Sequence, residues 1–201
     1  MRTLLAIPLV AAAIFGATPA QAATPAPAPG SASLTCRGQG VDPDAKIRYR
    51  AETLVKAPLS TIWRLQTDVA RWPSWQEPVT SAKRLDHGPL RPRSRFRWTT
   101  PVPPTPVSPA TTLVITSTVE QLQPGKCLRW TGPAIGDGLR IDRGVHVWNF
   151  VEVPGGVLVR TEETHAGKQI ETEVGLANEF LKMGLDAWLG ALKTTAEADP
   201  C

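Results

Sequence analysis

A helical repeat of apolar positions marks the last part of the chain. Between residues 169 and 196, apolar side chains recur at steps of three and four, and charged side chains fall mostly between them. This spacing places the apolar side chains on one stripe of a long α-helix. Gly184 and two further glycines interrupt the pattern and leave room beside the helix, for close packing or for a ligand. The stripe consists of Ile170, Val174, Ala177, Leu181, Leu185, Trp188 and Leu192.

The residues before this helix follow strand patterns, with apolar and polar positions alternating. The predicted strands are 47–55, 79–85, 95–98, 111–122, 127–131, 145–153 and 157–165. Two short helices, near 57–65 and 69–71, are predicted after the first strand. Sequential strands joined by turns usually pair with their neighbours. We therefore expect an α+β fold, in which a curved antiparallel sheet of about seven strands surrounds the long C-terminal helix.

Two long connections and the start of the helix are expected at one end of this sheet. The proline-dense segment 101–110 and the glycine-rich segment 132–144 are predicted as loops. In an antiparallel meander, alternate turns fall at the same end. These loops should therefore lie near Gly167 and the first turn of the helix, around the mouth of a cavity between helix and sheet.

The N-terminal residues have the pattern of an export signal. Residues 1–22 combine a positive start, a short apolar run and an A-x-A motif, which predicts cleavage after Ala22. The apolar run is too short to span a bilayer, so stable membrane insertion is not expected. Residues 23–40 are predicted as a disordered leader rich in Pro and Ala, 41–196 as a single domain and 197–201 as a tail. The expected location is secreted or periplasmic.

Charge and cysteine content narrow the possible partners. The chain has a net charge of +4, and its basic and acidic residues are interspersed, so a nucleic-acid interface is not expected. Cys36, Cys127 and Cys201 allow one disulfide and one free thiol, but their order does not fix the pairing. They do not have the spacing of metal ligands, and no cofactor is expected. The sequence leaves the oligomeric state open.

Several motifs along the chain resemble those of a known superfamily. They are Trp63…Asp68…Trp72-Pro73…Trp75, Leu128-Arg129-Trp130-Thr131-Gly132, His146-Val147-Trp148-Asn149-Phe150, and Gly155-Gly156 followed by Thr161-Glu162-Glu163. In order and spacing they resemble the polyketide cyclase/dehydrase branch of the START-like (SRPBCC, helix-grip) superfamily, over about residues 47–192. The resemblance implies a helix-grip fold with a ligand cavity between the helix and the sheet. Members range from lipid carriers and hormone receptors to cyclases.

The hairpin around Gly155-Gly156 predicts which side chains face the interior. With a two-residue turn, even positions of its first strand share a face with odd positions of its second. The aromatic face is the expected inner face. The predicted ligand-binding residues are Phe96, Trp98, Trp130, His146, Trp148, Phe150, Thr161, Glu163 and Leu181. Inward aromatic residues can equally be plain core, and Trp63, Trp72, Trp75 and Trp188 are interpreted as structural.

His146 and Glu163 are the candidate catalytic pair. They are expected to be neighbours on adjacent strands, with His146 opposite either Glu163 or His165. A buried carboxylate beside an imidazole is expected to raise the pKa of the imidazole, which would give an acid/base pair near neutral pH. Alternatively, the two residues tie the sheet together or orient the polar end of a ligand.

Three functions are compatible with these features. The first is an exported protein that binds an apolar small molecule or lipid. The second is a cyclase or dehydratase that uses His146 and Glu163 as its acid/base pair. The third is a protein-interaction domain whose core is filled. The export signal favours the first, because biosynthetic cyclases work in the cytoplasm beside their synthases.

Overall fold

The computed structural model describes residues 33–198, which contain one large antiparallel sheet. Strands are numbered along the chain, and β1 (Thr35–Cys36) and β2 (Gln39–Gly40) form a separate small sheet. The strands of the large sheet are β3 Ile47–Val55, β4 Ser81–Arg84, β5 Arg95–Val102, β6 Thr111–Gln123, β7 Cys127–Gly136, β8 Leu139–Val153 and β9 Gly156–Ala166. They lie in the order β3-β9-β8-β7-β6-β5-β4. The predicted antiparallel sheet of about seven strands with a long C-terminal helix is confirmed: β4 to β9 form a six-stranded meander, and β3 pairs with β9. The predicted signal peptide lies outside the described residues.

Helices cover one face of the sheet. Helix α1 (Leu59–Thr67) and a 3₁₀ helix (Val69–Ser74) follow β3, as predicted, and α2 (Val174–Ala198) ends the described chain. The long helix begins later than predicted, because Ile170–Thr172 forms a separate 3₁₀ turn. Gln169 explains this start: its side chain donates to the carbonyl of Gly138 at 2.6 Å and accepts from the amide of Arg140 at 2.8 Å. These bonds hold the entry to the helix against the end of a hairpin.

The segment 132–144 was predicted as a loop and is instead the tip of a long hairpin. Strands β7 and β8 run on to Gly136 and Leu139, and only two residues turn the chain. Gly138 has a φ of +67°, which suits a tight hairpin turn. Gly132 allows close contact with β6, since a Cβ there would lie 2.1 Å from the carbonyl oxygen of Thr116. Gly138 therefore serves the turn and Gly132 serves strand packing, whereas the prediction took both as signs of a loop.

The N-terminal end of the described chain also differs from the prediction. Residues 34–40 were assigned to a disordered leader, but β1 (Thr35–Cys36) and β2 (Gln39–Gly40) form a small hairpin. A disulfide joins Cys36 to Cys127, which settles the pairing; Cys201 lies outside the described residues. Buried apolar side chains of this hairpin pack on the outer face of β8, through Leu34, Val41, Val145 and Val147.

A buried carboxylate fixes the hairpin to the sheet. Glu162 is 1% exposed and accepts hydrogen bonds from the Leu34 amide at 2.6 Å and from Arg48 Nε at 2.6 Å. Glu162 is an even position of the second hairpin strand, so the predicted parity places it on the outer face, as observed. That face is covered at this point, because the hairpin supplies both apolar contacts and a hydrogen-bond donor.

Candidate functional site

A cavity opens between α2 and the end of the sheet where the mouth was predicted. Its volume is about 470 Å³, and its lining is mostly apolar. Segment 100–108 forms one wall, helix α2 forms another, and Leu139 and Ile141 of β8 contribute from the sheet. Residues Gln169 and Ile170 close the side nearest the start of the helix. We call this space the outer cavity.

A smaller pocket of about 140 Å³ adjoins the outer cavity on the inside. The two spaces share the lining residues Pro78, Thr100, Phe180, Leu181 and Gly184. The inner pocket additionally reaches polar side chains, in contrast to the apolar walls outside it. Its further lining residues are Gln76, Val79, Trp98, His146, Glu163, Leu185 and Trp188.

A chain of hydrogen-bonding side chains runs from the core to the outer cavity. His146 Nε2 lies 2.6 Å from Thr161 Oγ1, and His146 Nδ1 lies 3.3 Å from Glu163 Oε2. The other carboxylate oxygen of Glu163 lies 3.2 Å from His165 Nε2. His146 and Glu163 are directly opposite in the β8–β9 register, which selects one of the two predicted pairings. His165 is the last of these hydrogen-bonding side chains and lines the outer cavity.

The charge state of His146 differs from the prediction. Burial lowers the pKa of His146 to about 4, and the opposing attraction of Glu163 is the smaller effect. Burial acts to raise the pKa of the Glu163 carboxyl, but attraction from the two neighbouring imidazoles and a hydrogen bond with His165 together keep that pKa below its ordinary value. The prediction of a raised His146 pKa is therefore wrong, because it counted the carboxylate and left out the cost of burying a cation.

These protonation states leave His146 no free ring nitrogen. His146 Nδ1 faces the Glu163 carboxylate at 3.3 Å. His146 Nε2 lies 2.6 Å from the Thr161 hydroxyl, which also donates to the carbonyl of Val147 at 3.4 Å. Both nitrogens are thus used within the protein. The pair can orient a bound polar group through Glu163, but His146 is not free to exchange a proton with a ligand.

The structure separates the predicted ligand-binding residues into two groups. Trp98, His146, Glu163 and Leu181 line the inner pocket, and Leu181 also lines the outer cavity. The other five, Phe96, Trp130, Trp148, Phe150 and Thr161, line neither space. They do face inward, as predicted, but they belong to the packed core.

Trp72 is the reason that these aromatic residues do not line a cavity. Its side chain is fully buried, and its ring centroid lies 5.4 Å from that of Phe96 and 4.9 Å from that of Trp188. Its indole nitrogen donates to the carbonyl of Gln66 at 3.2 Å. The 3₁₀ helix thus inserts Trp72 into the concave face and fills its centre. The remaining space lies nearer the mouth.

The prediction missed a second apolar stripe on α2. Leu176, Phe180, Gly184 and Ala187 line the outer cavity and follow one another at steps of four, four and three. They lie beside the buried stripe that contains Leu181, Leu185 and Trp188. The signal was present in the sequence, since an apolar arc wider than one stripe indicates a helix with two covered faces. Pro78 lies outside every predicted strand, and Leu139 lies in the segment that was predicted as a loop. Neither residue has a periodic pattern around it that would indicate a cavity wall.

Within residues 33–198, no group of three or more His, Cys, Asp or Glu side chains could hold a metal ion. No helix in that range is long and apolar enough to cross a bilayer.

Comparison with known proteins identifies the family. The fold and the position of the cavity define a helix-grip protein. A family profile described as polyketide cyclase/dehydrase and lipid transport matches residues 46–197, and the chain belongs to this family. Comparison with curated proteins gives no significant match.

Solved structures share the fold at low sequence identity. A START superfamily protein from Mycobacterium smegmatis is 15% identical with a TM-score of 0.60, over 75% of this chain and 97% of that one. The Zhui aromatase/cyclase from a Streptomyces species is 14% identical with a TM-score of 0.56, over 77% and 98%. A protein from Thermus thermophilus is 19% identical with a TM-score of 0.57, over 75% and 97%. At these identities the likeness concerns the fold alone.

Proposed function

We propose that this protein is an exported binding protein that holds an apolar small molecule or lipid in the outer cavity. The observation that carries this proposal is the space itself: about 470 Å³ with a mostly apolar lining, beside a small polar pocket. Small-molecule sites in proteins typically enclose about 300–1,000 Å³ and combine apolar walls with a few polar groups. The family description, which includes lipid transport, agrees with this function.

The polar groups of the inner pocket would orient one end of the ligand. Glu163 presents a carboxylate there, and Thr100 adds a hydroxyl. Gln76 is 1% exposed, and its amide already donates to the carbonyl of Trp188 at 3.1 Å, so it mainly holds α2 in place. A ligand with one hydrogen-bond donor and an otherwise apolar body would match this arrangement.

The enzyme alternative is the weaker one. An acid/base catalyst needs a group that can pass a proton to or from the substrate. Both ring nitrogens of His146 have protein partners, and both oxygens of Glu163 face imidazoles. A cyclase or dehydratase would therefore have to use His165, the member of the chain that lines the outer cavity. The filled-core alternative is weaker still, because open space remains between helix and sheet.

Export is part of the proposal and has two sources of support. The pattern of residues 1–22 is that of a cleaved signal, and Cys36 and Cys127 form a disulfide. Disulfides persist in secreted and periplasmic proteins and are rare in the cytosol.

The proposal can be tested with two matched glycine substitutions in α2. Gly184 lines both spaces and Gly190 lines neither, and a Cβ at either position meets no atom within 4 Å. Gly184→Leu should fill the cavity, whereas Gly190→Leu changes helix propensity equally without entering it. We expect Gly184→Leu to weaken binding of the uncharged fluorophore N-phenyl-1-naphthylamine by about tenfold or more, which is about 1.4 kcal/mol. Gly190→Leu should bind like the wild type.

Native mass spectrometry of the protein purified from its exporting host gives an independent result. A co-purifying apolar molecule that is absent from Gly184→Leu and present in Gly190→Leu would support the proposal and name the ligand class. A wild-type protein that is empty and does not bind the fluorophore would refute it. Equal fluorophore affinity in both variants would also refute it, since the binding would then occur elsewhere.

A further inference from the structure

A second concave surface lies at the opposite end of the sheet from the outer cavity. It has a volume of about 560 Å³ and lies between the N-terminal hairpin, the β6–β7 turn, the start of α1 and the adjoining parts of β8 and β9. Thr35 and Arg37 come from the hairpin, Lys126 comes from the turn, and Asn149 and Arg160 come from the strands. We call it the outer-face groove. It shares no lining residue with the outer cavity or the inner pocket.

The groove concentrates positive charge that the protein does not neutralise. Arg37, Lys126 and Arg160 approach it from three separate segments, and Glu152 is the one carboxylate in its lining. Among residues 33–198, none of these three cations has a carboxylate within ion-pair distance. Several other basic residues of the sheet do form ion pairs. Arg48 and Arg129, for example, pair with Glu162 and Glu120.

Arg160 is the most constrained of the three cations. Its side chain is half-buried, and its Nε is buried without a hydrogen-bond partner in the described part of the chain. In the sheet register it lies between Asn149 of β8 and Glu52 of β3, yet it forms no ion pair with Glu52. A buried guanidinium nitrogen without a partner is costly, which suggests that an external acceptor completes this site.

We propose that the outer-face groove binds a phosphate monoester group. Three cations and one carboxylate leave two uncompensated positive charges, which match the dianionic charge of a phosphate monoester near neutral pH. Arginine suits this ligand, because its planar guanidinium donates two parallel hydrogen bonds to phosphate oxygens. The group could belong to a soluble phosphate compound or to the headgroup of a phosphatidic-acid-type lipid. The site does not depend on the apolar ligand proposed above.

The disulfide is part of this site. Arg37 lies at the turn of the N-terminal hairpin with a φ of +49°, and the adjacent Cys36 is bonded to Cys127, which itself lines the groove. Asn149 also holds the hairpin by donating to the carbonyl of Thr35 at 2.9 Å. Opening the disulfide should therefore loosen the hairpin that carries Arg37 and weaken phosphate binding.

Titration with inorganic phosphate, followed by nuclear magnetic resonance, tests the proposal at the atom concerned. The Nε–Hε signal of Arg160, assigned from its absence in Arg160→Lys, should shift saturably as phosphate is added. Lys126→Ala should raise the Kd for phosphate by about tenfold, the usual effect of removing a hydrogen bond from a charged donor. Arg95→Ala is the matched control, because Arg95 is exposed on β5, has no ion pair within residues 33–198 and lies outside the groove.

Each outcome of the titration either supports or overturns the site. Loss of affinity in Lys126→Ala with no change in Arg95→Ala supports it. Absence of a saturable shift overturns it, and so does equal loss in both variants, which would mean diffuse attraction to net charge. Because Lys126 is exposed, its removal should not disturb folding.

Vesicle binding distinguishes the two sources of the phosphate group. Phosphatidylcholine vesicles with and without phosphatidic acid are sedimented with the wild type, Lys126→Ala and Arg95→Ala. Co-sedimentation that needs phosphatidic acid and Lys126 identifies a lipid headgroup, whereas saturable phosphate binding without co-sedimentation identifies a soluble compound. Co-sedimentation that both variants lose equally would overturn a specific site.

Discussion

At the residue scale, His146 shows how burial can outweigh a favourable neighbour. Its ring is 3% exposed and packs against Trp130 and Trp148, with centroid distances of 4.8 Å and 4.9 Å. Glu163 alone would favour the imidazolium. The aromatic surroundings withhold the water that a cation needs, so the neutral ring is the stable form. The side chains of Thr161, His146 and His165 therefore serve to position the Glu163 carboxylate.

This charge state predicts a pH dependence of stability. The pKa of His146 is about 4 in the folded protein and about 6.5 when unfolded, so the unfolded state binds the proton more readily. The stability that neutral His146 contributes is therefore fully present above its unfolded-state pKa and is lost as the pH falls towards 4. Between pH 7 and pH 5 the free energy of unfolding should decrease by about 2 kcal/mol from this residue.

Urea denaturation at these two pH values measures the effect. His146→Gln removes the titrating group and keeps an amide that can donate to Glu163, so its stability should depend less on pH. His87→Gln is the control, because His87 is exposed in a loop. An equal loss of stability in the wild type and in His146→Gln would contradict the assignment.

The sequence could predict which residues are neighbours here but not how buried they are. Strand parity correctly placed His146 beside Glu163 and gave the inner face of the hairpin, because period-two alternation is a local property. The extent of burial depends on Trp72, which reaches the same space from a 3₁₀ helix more than seventy positions earlier in the chain. Alternation along a strand does not report how far a side chain from another element fills the concave face.

At the element scale, α2 and the N-terminal hairpin have more than one role each. Helix α2 buries one stripe against the sheet and uses a neighbouring stripe to line the outer cavity. The hairpin covers Val145 and Val147 on the outer face and also forms one wall of the outer-face groove. Its two strands have only two residues each, so local pairing alone is too weak to hold it. Its position depends on Glu162 and the disulfide.

Removal of the disulfide should therefore be costly. Cys36 and Cys127 are 91 positions apart, and closing a loop of that length restricts the unfolded chain strongly. Cys36→Ala/Cys127→Ala should lower the free energy of unfolding by about 4 kcal/mol, as measured by urea denaturation. Cys201→Ala provides the control with a different cysteine. A double variant as stable as the wild type would show that the bridge does not contribute, and an equal loss in Cys201→Ala would point to a different cause.

The limits of prediction at this scale also have a physical origin. The seven strands, two short helices and long helix follow from local periodicity, and the comparison with the family confirms the fold. The sequence did not predict where β7 ends and β8 begins. Gly132 serves strand packing and Gly138 serves a turn, and the residue type alone does not distinguish these two roles. The partner of Cys36 could not be deduced, since it depends on the distance between two elements in space.

At the scale of the whole molecule, the proposed export agrees with the disulfide and with the two concave surfaces. An oxidising compartment would allow the Cys36–Cys127 bond to form, and that bond completes the outer-face groove. The outer cavity lies at the other end of the sheet and can be occupied independently. A protein that leaves the cytoplasm with both surfaces open would suit the transport or sequestration of a ligand better than a step in biosynthesis.

Export can be tested with the full chain in an exporting bacterial host. We expect the processed protein in the periplasm or medium to begin at Ala23, because Ala20-Gln21-Ala22 supplies the small residues that signal peptidase requires. Its intact mass should also be lower than that of the fully reduced protein by two hydrogen atoms, because one disulfide has formed. Ala20→Leu/Ala22→Leu should block cleavage, whereas Ala12→Leu, within the apolar run, should be processed normally. Wild-type protein that stays in the cytoplasm with residues 1–22 attached would refute export. The reduced thiols expected in that compartment would then leave the hairpin without its covalent tie, and phosphate binding at the outer-face groove would weaken accordingly.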